Sequence, residues 1–191
     1  LLITPYYNKP TQEGLFQHFK KVTESVDIPV ILYNVPGRTS VNMLPATVAR
    51  LRSIKNIVGI KEATGDLKQI SELIRLCGRD FDVISGDDFT TLPMLAIGGV
   101  GAISVTANIV PGDAAAMFDA FFAGKMEEAL KYHYKMEPLH SLMFVETNPI
   151  PVKTALALMG KLNEEFRLPL CTMADANKDK LKKALKDYGL I

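Results

Sequence analysis

Short apolar runs alternate with amphipathic stretches along the first part of this chain. The runs are Leu1–Thr4, Pro29–Tyr33, Ile57–Ile60, Phe81–Ser85 and Gly101–Val105. They are β-branched or nearly all apolar, the pattern of parallel strands covered on both faces. Between them the spacing turns helical. Leu15, Phe16, Phe19, Val22 and Val26 fall on one face, and Leu67, Ile70, Leu73, Ile74 and Cys77 on another. Asp66, after Thr64-Gly65, is the expected N-cap of the second helix, and Asp113, after Pro111-Gly112, that of a later one. Strand and helix alternating in this way predict βα units and a parallel sheet.

After the fifth run the alternation stops. Ala114–Ala123 reads as the helix that follows it. Lys125–Phe144, Pro151–Met159 and Ala174–Tyr188 read as three more, the last burying Leu181, Ala184, Leu185 and Tyr188. The expected division is therefore 1–123 for the βα part and 124–191 for a helical region. Five strands cannot close a barrel that requires eight. Strand count alone thus leaves an open doubly wound sheet as the alternative. No GxGxxG or P-loop run is present to furnish such a sheet with a nucleotide site.

Composition narrows the function classes. At 191 residues and 48% apolar, the chain can bury a real core. Net charge is +1 with the charges scattered, so no basic tract points to nucleic acid and no acidic tail to a disordered arm. No apolar run approaches the roughly 20 residues of a membrane span. Cys77 and Cys171 lack metal or redox spacing and read as free packing thiols of a reducing compartment. Leu1-Leu2-Ile3 is too short for a signal peptide. The chain opens inside a strand-like run without Met, and the expectation is that an upstream part is missing.

Candidate chemistry gathers where strands end. Lys61 follows Ile57-Val58-Gly59-Ile60. It is either the first solvated residue beyond the strand or an amine whose pKa apolar surroundings lower, able to form an imine with a ketone. Tyr33 ends the run one unit earlier and leads into Asn34-Val35-Pro36-Gly37-Arg38-Thr39. It reads as a packing aromatic or as a site residue, with Pro36-Gly37 as a turn and Arg38 as a solvated charge or a carboxylate clamp. Tyr6 and Tyr7 suit a site or an interface as well as a loop. Gly86-Asp87-Asp88 reads as a helix cap rather than a metal site. His18, His133 and His140 fall in helices as surface or packing residues.

The motifs Thr4–Pro10, Tyr33–Thr39, Gly59–Gly65, Ser85–Asp88, Ile103–Asn108 and Asn148–Lys153 occur in this order. Together they resemble the dihydrodipicolinate synthase family of pyruvate-dependent Schiff-base aldolases, from its fourth barrel strand to its C-terminus. The resemblance covers essentially the whole chain. It implies a (β/α)8 TIM barrel, here strands 4–8 with their helices, followed by a three-helix C-terminal region. It also implies a cytoplasmic enzyme of lysine biosynthesis without cofactor or metal, assembled as a homotetramer of two tight dimers. The substrates would be pyruvate and aspartate semialdehyde.

By that resemblance Lys61 forms the pyruvate imine and Tyr33 is the general acid/base. Arg38 holds the carboxylate of aspartate semialdehyde, and carbonyls around Gly86 and Ile103 line the pyruvate pocket. Tyr7 reaches across the tight dimer into the neighbour's proton relay, with Tyr6 stacking beside it. The family's Gly-Thr-Thr-Gly-Glu loop has no counterpart here, so the chain alone is expected to lack part of the site. Sister lyases acting on N-acetylneuraminate or 2-keto-3-deoxygluconate share the lysine and tyrosine, and Arg38 is the discriminator. From another class, a non-catalytic α/β piece that only assembles with a partner remains open.

Overall fold

The structure, a computed structural model, describes residues 1–191. They fall into two compact units, Leu1–Ile103 and Ser104–Ile191.

The first unit is built on five parallel strands: β1 (Leu2–Ile3), β2 (Val30–Asn34), β3 (Ile57–Glu62), β4 (Asp82–Ser85) and β5 (Gly101–Ala102). Their order in the sheet is the order in sequence. A doubly wound sheet would reverse direction at a switch point. A sheet that adds each new strand on the same side is the arc of a (β/α)8 barrel. β1 and β5 are its two edges, as expected, but each is only two residues long. An edge strand has a ladder partner on one side only, so pairing stops sooner. Thr4 N still donates to Tyr33 O at 3.2 Å, and Ile103 N to Ser85 O at 2.8 Å. Ser104 and Val105, expected in the last strand, belong to the second unit.

Helices cover one face of this sheet. They are α1 (Gln12–Thr23), the single turn α2 (Pro36–Thr39), α3 (Pro45–Leu51), α4 (Leu67–Cys77) and α5 (Thr91–Ala96). Leu15 and Phe19 of α1, Val48 and Leu51 of α3, and Ile70, Leu73 and Cys77 of α4 form one core with Leu32, Ile60 and Val83 of the strands. The opposite face keeps Ile31, Tyr33, Lys61 and Ile84 partly exposed. A one-residue bulge between Val30 and Ile31 sets this register, pairing Leu32 with Ile60.

Local signals account for most helix ends. Asp66 caps α4, accepting from Lys68 N at 2.9 Å and Gln69 N at 3.2 Å. Val26 lies beyond α1 and is exposed, so the face of that helix is Leu15, Phe19 and Thr23. Gly59 lets β4 approach closely, since a Cβ there would stand 2.5 Å from Asp82 O.

The second unit holds a 3-10 turn (Thr106–Asn108), α6 (Pro111–Phe122), α7 (Met126–Leu142), α8 (Ile150–Leu158) and α9 (Asp175–Tyr188). Asp113 is not the N-cap of α6. Pro111, preset for a helical φ, already stands in the first turn, and Val110 takes the cap position. The Asp113 carboxylate instead ties three helices, accepting from Lys135 at 2.7 Å and from the Tyr188 hydroxyl at 2.5 Å. His140 is buried with Nδ1 2.8 Å from Thr106 Oγ1. Leu181 and Leu185 are the fully buried residues of α9.

Candidate active site

β2 and β3 pair with Tyr33 opposite Lys61 and Asn34 opposite Glu62. Side chains alternate across a strand. Tyr33 and Lys61 therefore share the helix-free face, while Asn34 and Glu62 share the covered face with Leu32 and Ile60. Lys61 does not emerge from the strand end as a first solvated residue. It lies within β3, flanked by Tyr33 on one side and Ile84 on the other. Its Nζ stands 4.4 Å from the centroid of the Tyr33 ring.

Burial governs the electrostatics of this pair. Loss of hydration lowers the Lys61 pKa below the usual lysine range; Asp88 opposes the shift and Arg38 adds to it. The same loss raises the Tyr33 pKa, with Arg38 opposing. An amine that burial makes easier to deprotonate thus lies beside a phenol that burial makes harder to deprotonate.

Arg38 sits in α2, which turns the chain directly after Asn34. Thr39 anchors this turn, its hydroxyl donating to Val35 O at 3.2 Å, and Ser40 closes it in the left-handed region at φ 54°. Gly86 lies against the lysine side chain. A Cβ added there would stand 2.8 Å from Lys61 Cε and 2.7 Å from Ala63 Cβ. Ile103 follows β5 and is held by its bond to Ser85, next to Gly86. Tyr7 is 91% exposed in the turn after β1, so its side chain touches little of its own chain. Lys61, Tyr33, Gly86 and the charge of Arg38 are thus brought together, and Tyr7 is not brought to them.

Gly86-Asp87-Asp88 is not a helix cap. Thr90 holds the cap position of α5, and Asp87 Oδ2 accepts from Thr90 N at 3.0 Å. Asp88 is 5% exposed and acts on Lys61 through its charge. Glu62, which resembles a loop polar in the sequence, is 1% exposed and belongs to the strand. Two positions after Ile60 and two after Leu32, Glu62 and Asn34 carry a period-two signal for burial. Cys77 is buried as expected, but Cys171 is exposed and is no packing residue.

Residues 1–188 match the model of the dihydrodipicolinate synthetase family. The chain belongs to that family. It is 66% identical over 191 residues to a 4-hydroxy-tetrahydrodipicolinate synthase of Thermodesulfovibrio yellowstonii, covering all of this chain and 66% of the relative. A synthase of the same name from Geotalea uraniireducens is 64% identical with the same coverage. The chain thus spans just under two-thirds of the length of these relatives. Among solved structures, dihydrodipicolinate synthase of Thermotoga maritima superposes with a TM-score of 0.96 at 47% identity, covering 99% of this chain and 65% of that one. The chloride-inhibited Acinetobacter baumannii enzyme, complexed with pyruvate, gives 0.96 and 47%, covering 100% and 65%. The five strands and the helices after them are this family's partial (β/α)8 barrel and C-terminal helical region.

Proposed function

We propose that the chain carries the imine-forming part of a 4-hydroxy-tetrahydrodipicolinate synthase, a Schiff-base lyase that condenses pyruvate with aspartate 4-semialdehyde in lysine biosynthesis. The observation that carries this reading is the Tyr33 ring 4.4 Å from Lys61 Nζ on the open face of the sheet. The neutral Lys61 amine attacks the ketone carbon of pyruvate. Tyr33, kept protonated by burial, gives its proton to the departing hydroxyl as water leaves the carbinolamine. The Tyr33 phenolate then takes a methyl proton from the imine to give an enamine. The enamine carbon attacks the aldehyde of the second substrate as Tyr33 returns the proton to the new alkoxide. That substrate's amine then displaces Lys61 from the imine and frees the lysine. Arg38 supplies a bidentate partner for that substrate's carboxylate. Carbonyls around Gly86 and Ile103 line the pyruvate pocket.

Tyr7, nearly bare in the single chain, serves a neighbouring subunit's proton relay in a tight dimer, two of which form a tetramer. Residues 1–123 act as the barrel part and 124–191 as the helical region. The free thiols suit the cytoplasm, and no helix is long and apolar enough to cross a membrane. The names of the relatives favour this activity over the sister lyases.

Borohydride reduction with pyruvate tests the reading, on the chain alone and on a chimera preceded by the N-terminal third of the Thermodesulfovibrio yellowstonii relative. The expected product is one reduced pyruvyl adduct on Lys61 of the chimera. An adduct on Lys153, or one that persists in Lys61→Ala, sinks the assignment.

A further inference from the structure

Behind the Tyr33–Lys61 pair, on the other face of the same two strands, lies a buried polar cluster that the proposed reaction does not use. The Glu62 carboxylate accepts from Asn34 Nδ2 at 3.0 Å and from Thr64 N at 2.8 Å. Asn34 Oδ1 accepts from Met43 N at 2.9 Å, and Asn34 Nδ2 also donates to Asn42 Oδ1 at 2.9 Å. Gln69 of α4 completes the cluster, its Nε2 donating to Asn42 Oδ1 at 3.0 Å and its Oε1 accepting from Asn42 Nδ2 at 2.8 Å.

A carboxyl group 1% exposed inside an apolar core is costly. Apolar residues of similar size at 34 and 62 would hold the sheet without that cost. The cluster does something a plain apolar contact does not. Its bonds are directional, and they join the residues immediately after Tyr33 and Lys61. Fixing Asn34 against Glu62 fixes how the last pairs of β2 and β3 are set, and with them the spacing of the two reactive side chains. Thr64 N, bonded to the same carboxylate, also ties down the loop after β3 that carries Ala63 to Gly86.

We propose that Glu62 and Asn34 are positioning residues, a clamp on the far face of β2 and β3 that holds Lys61 at Tyr33. This rests on the imine reading above and adds to it which residues set the geometry. Displacements of about 1 Å at a reacting centre can cost roughly 10²-fold in rate.

The test uses the chain within the chimera that completes the barrel, with Glu62→Gln, Asn34→Asp and the two combined. Glu62→Gln leaves one acceptor where two donors need one. Asn34→Asp faces one carboxylate with another. The double variant reverses donor and acceptor: the new amide donates to the new carboxylate, which still accepts from Met43 N. The reciprocally paired amides of Asn42 and Gln69 turn over together, so that Asn42 Nδ2 donates to that carboxylate as well. Three readouts are taken on the folded fraction: the rate of pyruvate trapping, the pyruvate concentration that half-saturates it, and the pH midpoint of Lys61 acetylation by acetic anhydride without pyruvate.

Each single variant is expected to trap pyruvate about 10- to 100-fold more slowly with half-saturation nearly unchanged. The acetylation midpoint should move up towards that of an ordinary lysine, and the double variant should recover most of both. Gln69→Ala, at the outer end of the cluster, should shift the same readouts less, and it serves if the inner variants do not fold. Folded single variants that trap at the wild-type rate, or that lose only melting temperature, overturn the clamp. So does a folded double variant without recovery. If the wild-type chimera traps no pyruvate, the imine reading fails, and the acetylation midpoints still decide whether Glu62 positions Lys61.

Discussion

Gly86 and Lys61 are packed so closely that the space of a single methyl group separates them from collision: a Cβ on Gly86 would lie 2.8 Å from Lys61 Cε and 3.1 Å from Lys61 Cγ. The backbone of Gly86 is not in the left-handed region, so the constraint is one of room rather than of conformation. Gly86→Ala should therefore fold, at an overpacking cost of about 1–3 kcal/mol, with the lysine pushed from its place. Pyruvate trapping at Lys61 should fall by roughly 10²-fold. Trapping at the wild-type rate in Gly86→Ala would show that the lysine has other productive positions.

Tyr33→Phe removes one oxygen and leaves the ring beside Lys61. Fold and melting temperature should stay close to wild type. If the hydroxyl moves protons, turnover should drop by about 10²–10⁴-fold, and a loss below about threefold would leave Tyr33 as a packing aromatic. Steady-state kinetics on the chimera with a complete barrel reads the difference.

Arg38 carries two separable expectations. Its guanidinium suits a carboxylate, so Arg38→Ala should raise KM for aspartate semialdehyde well above any effect on pyruvate. Its charge also lowers the pKa of both Lys61 and Tyr33. Removing it should move the pH profile of pyruvate trapping upward, because the lysine then holds its proton to higher pH. A downward shift would mean that Arg38 does not act on Lys61 by charge.

Much of the βα part can be read from the apolar runs, since burial against helices demands continuous hydrophobic strands. The carboxyl end of β3 is harder. Lys61 and Glu62 look like the start of a loop because a buried charge is costly. Glu62 is acceptable there because Asn34, 28 residues earlier in the chain, and Thr64 N donate to its carboxylate. α3 and α5 escape the pattern for another reason. Each is seven residues or fewer and neither has a side-chain cap bond, so Val48 with Leu51, or Leu92 with Leu95, gives only one turn of periodicity. Asp113 misleads as a cap because Pro111 starts its helix earlier, freeing the carboxylate to join α6, α7 and α9. The Lys61–Tyr33 pairing depends on a bulge at Val30/Ile31, and no composition signal marks it.

The two cysteines should behave oppositely. Cys171 is exposed, whereas Cys77 is fully buried at the end of α4 among Ile70, Leu73 and the strands. Burial pushes the Cys77 thiol up to about 11, from an ordinary value of 9.0. The thiolate is the nucleophile, so at mildly alkaline pH Cys77 is both shielded and protonated. Iodoacetamide on the native chain should modify Cys171 alone, and Cys77 should react only as the first unit unfolds. The same shift carries a sign for stability. The folded pKa lies above the unfolded one, so the protonated thiol favours the folded state fully below about 9. That contribution is lost as pH rises from about 9 through about 11, where the unfolded chain has released the proton and the folded chain still holds it. Melting temperature should fall across that window, and Cys77→Ser, whose hydroxyl does not titrate there, should show a shallower fall from a lower starting point. Peptide-mapped alkylation that labels both cysteines equally in the native state would contradict the burial of Cys77, and with it the packing of α4 on the sheet.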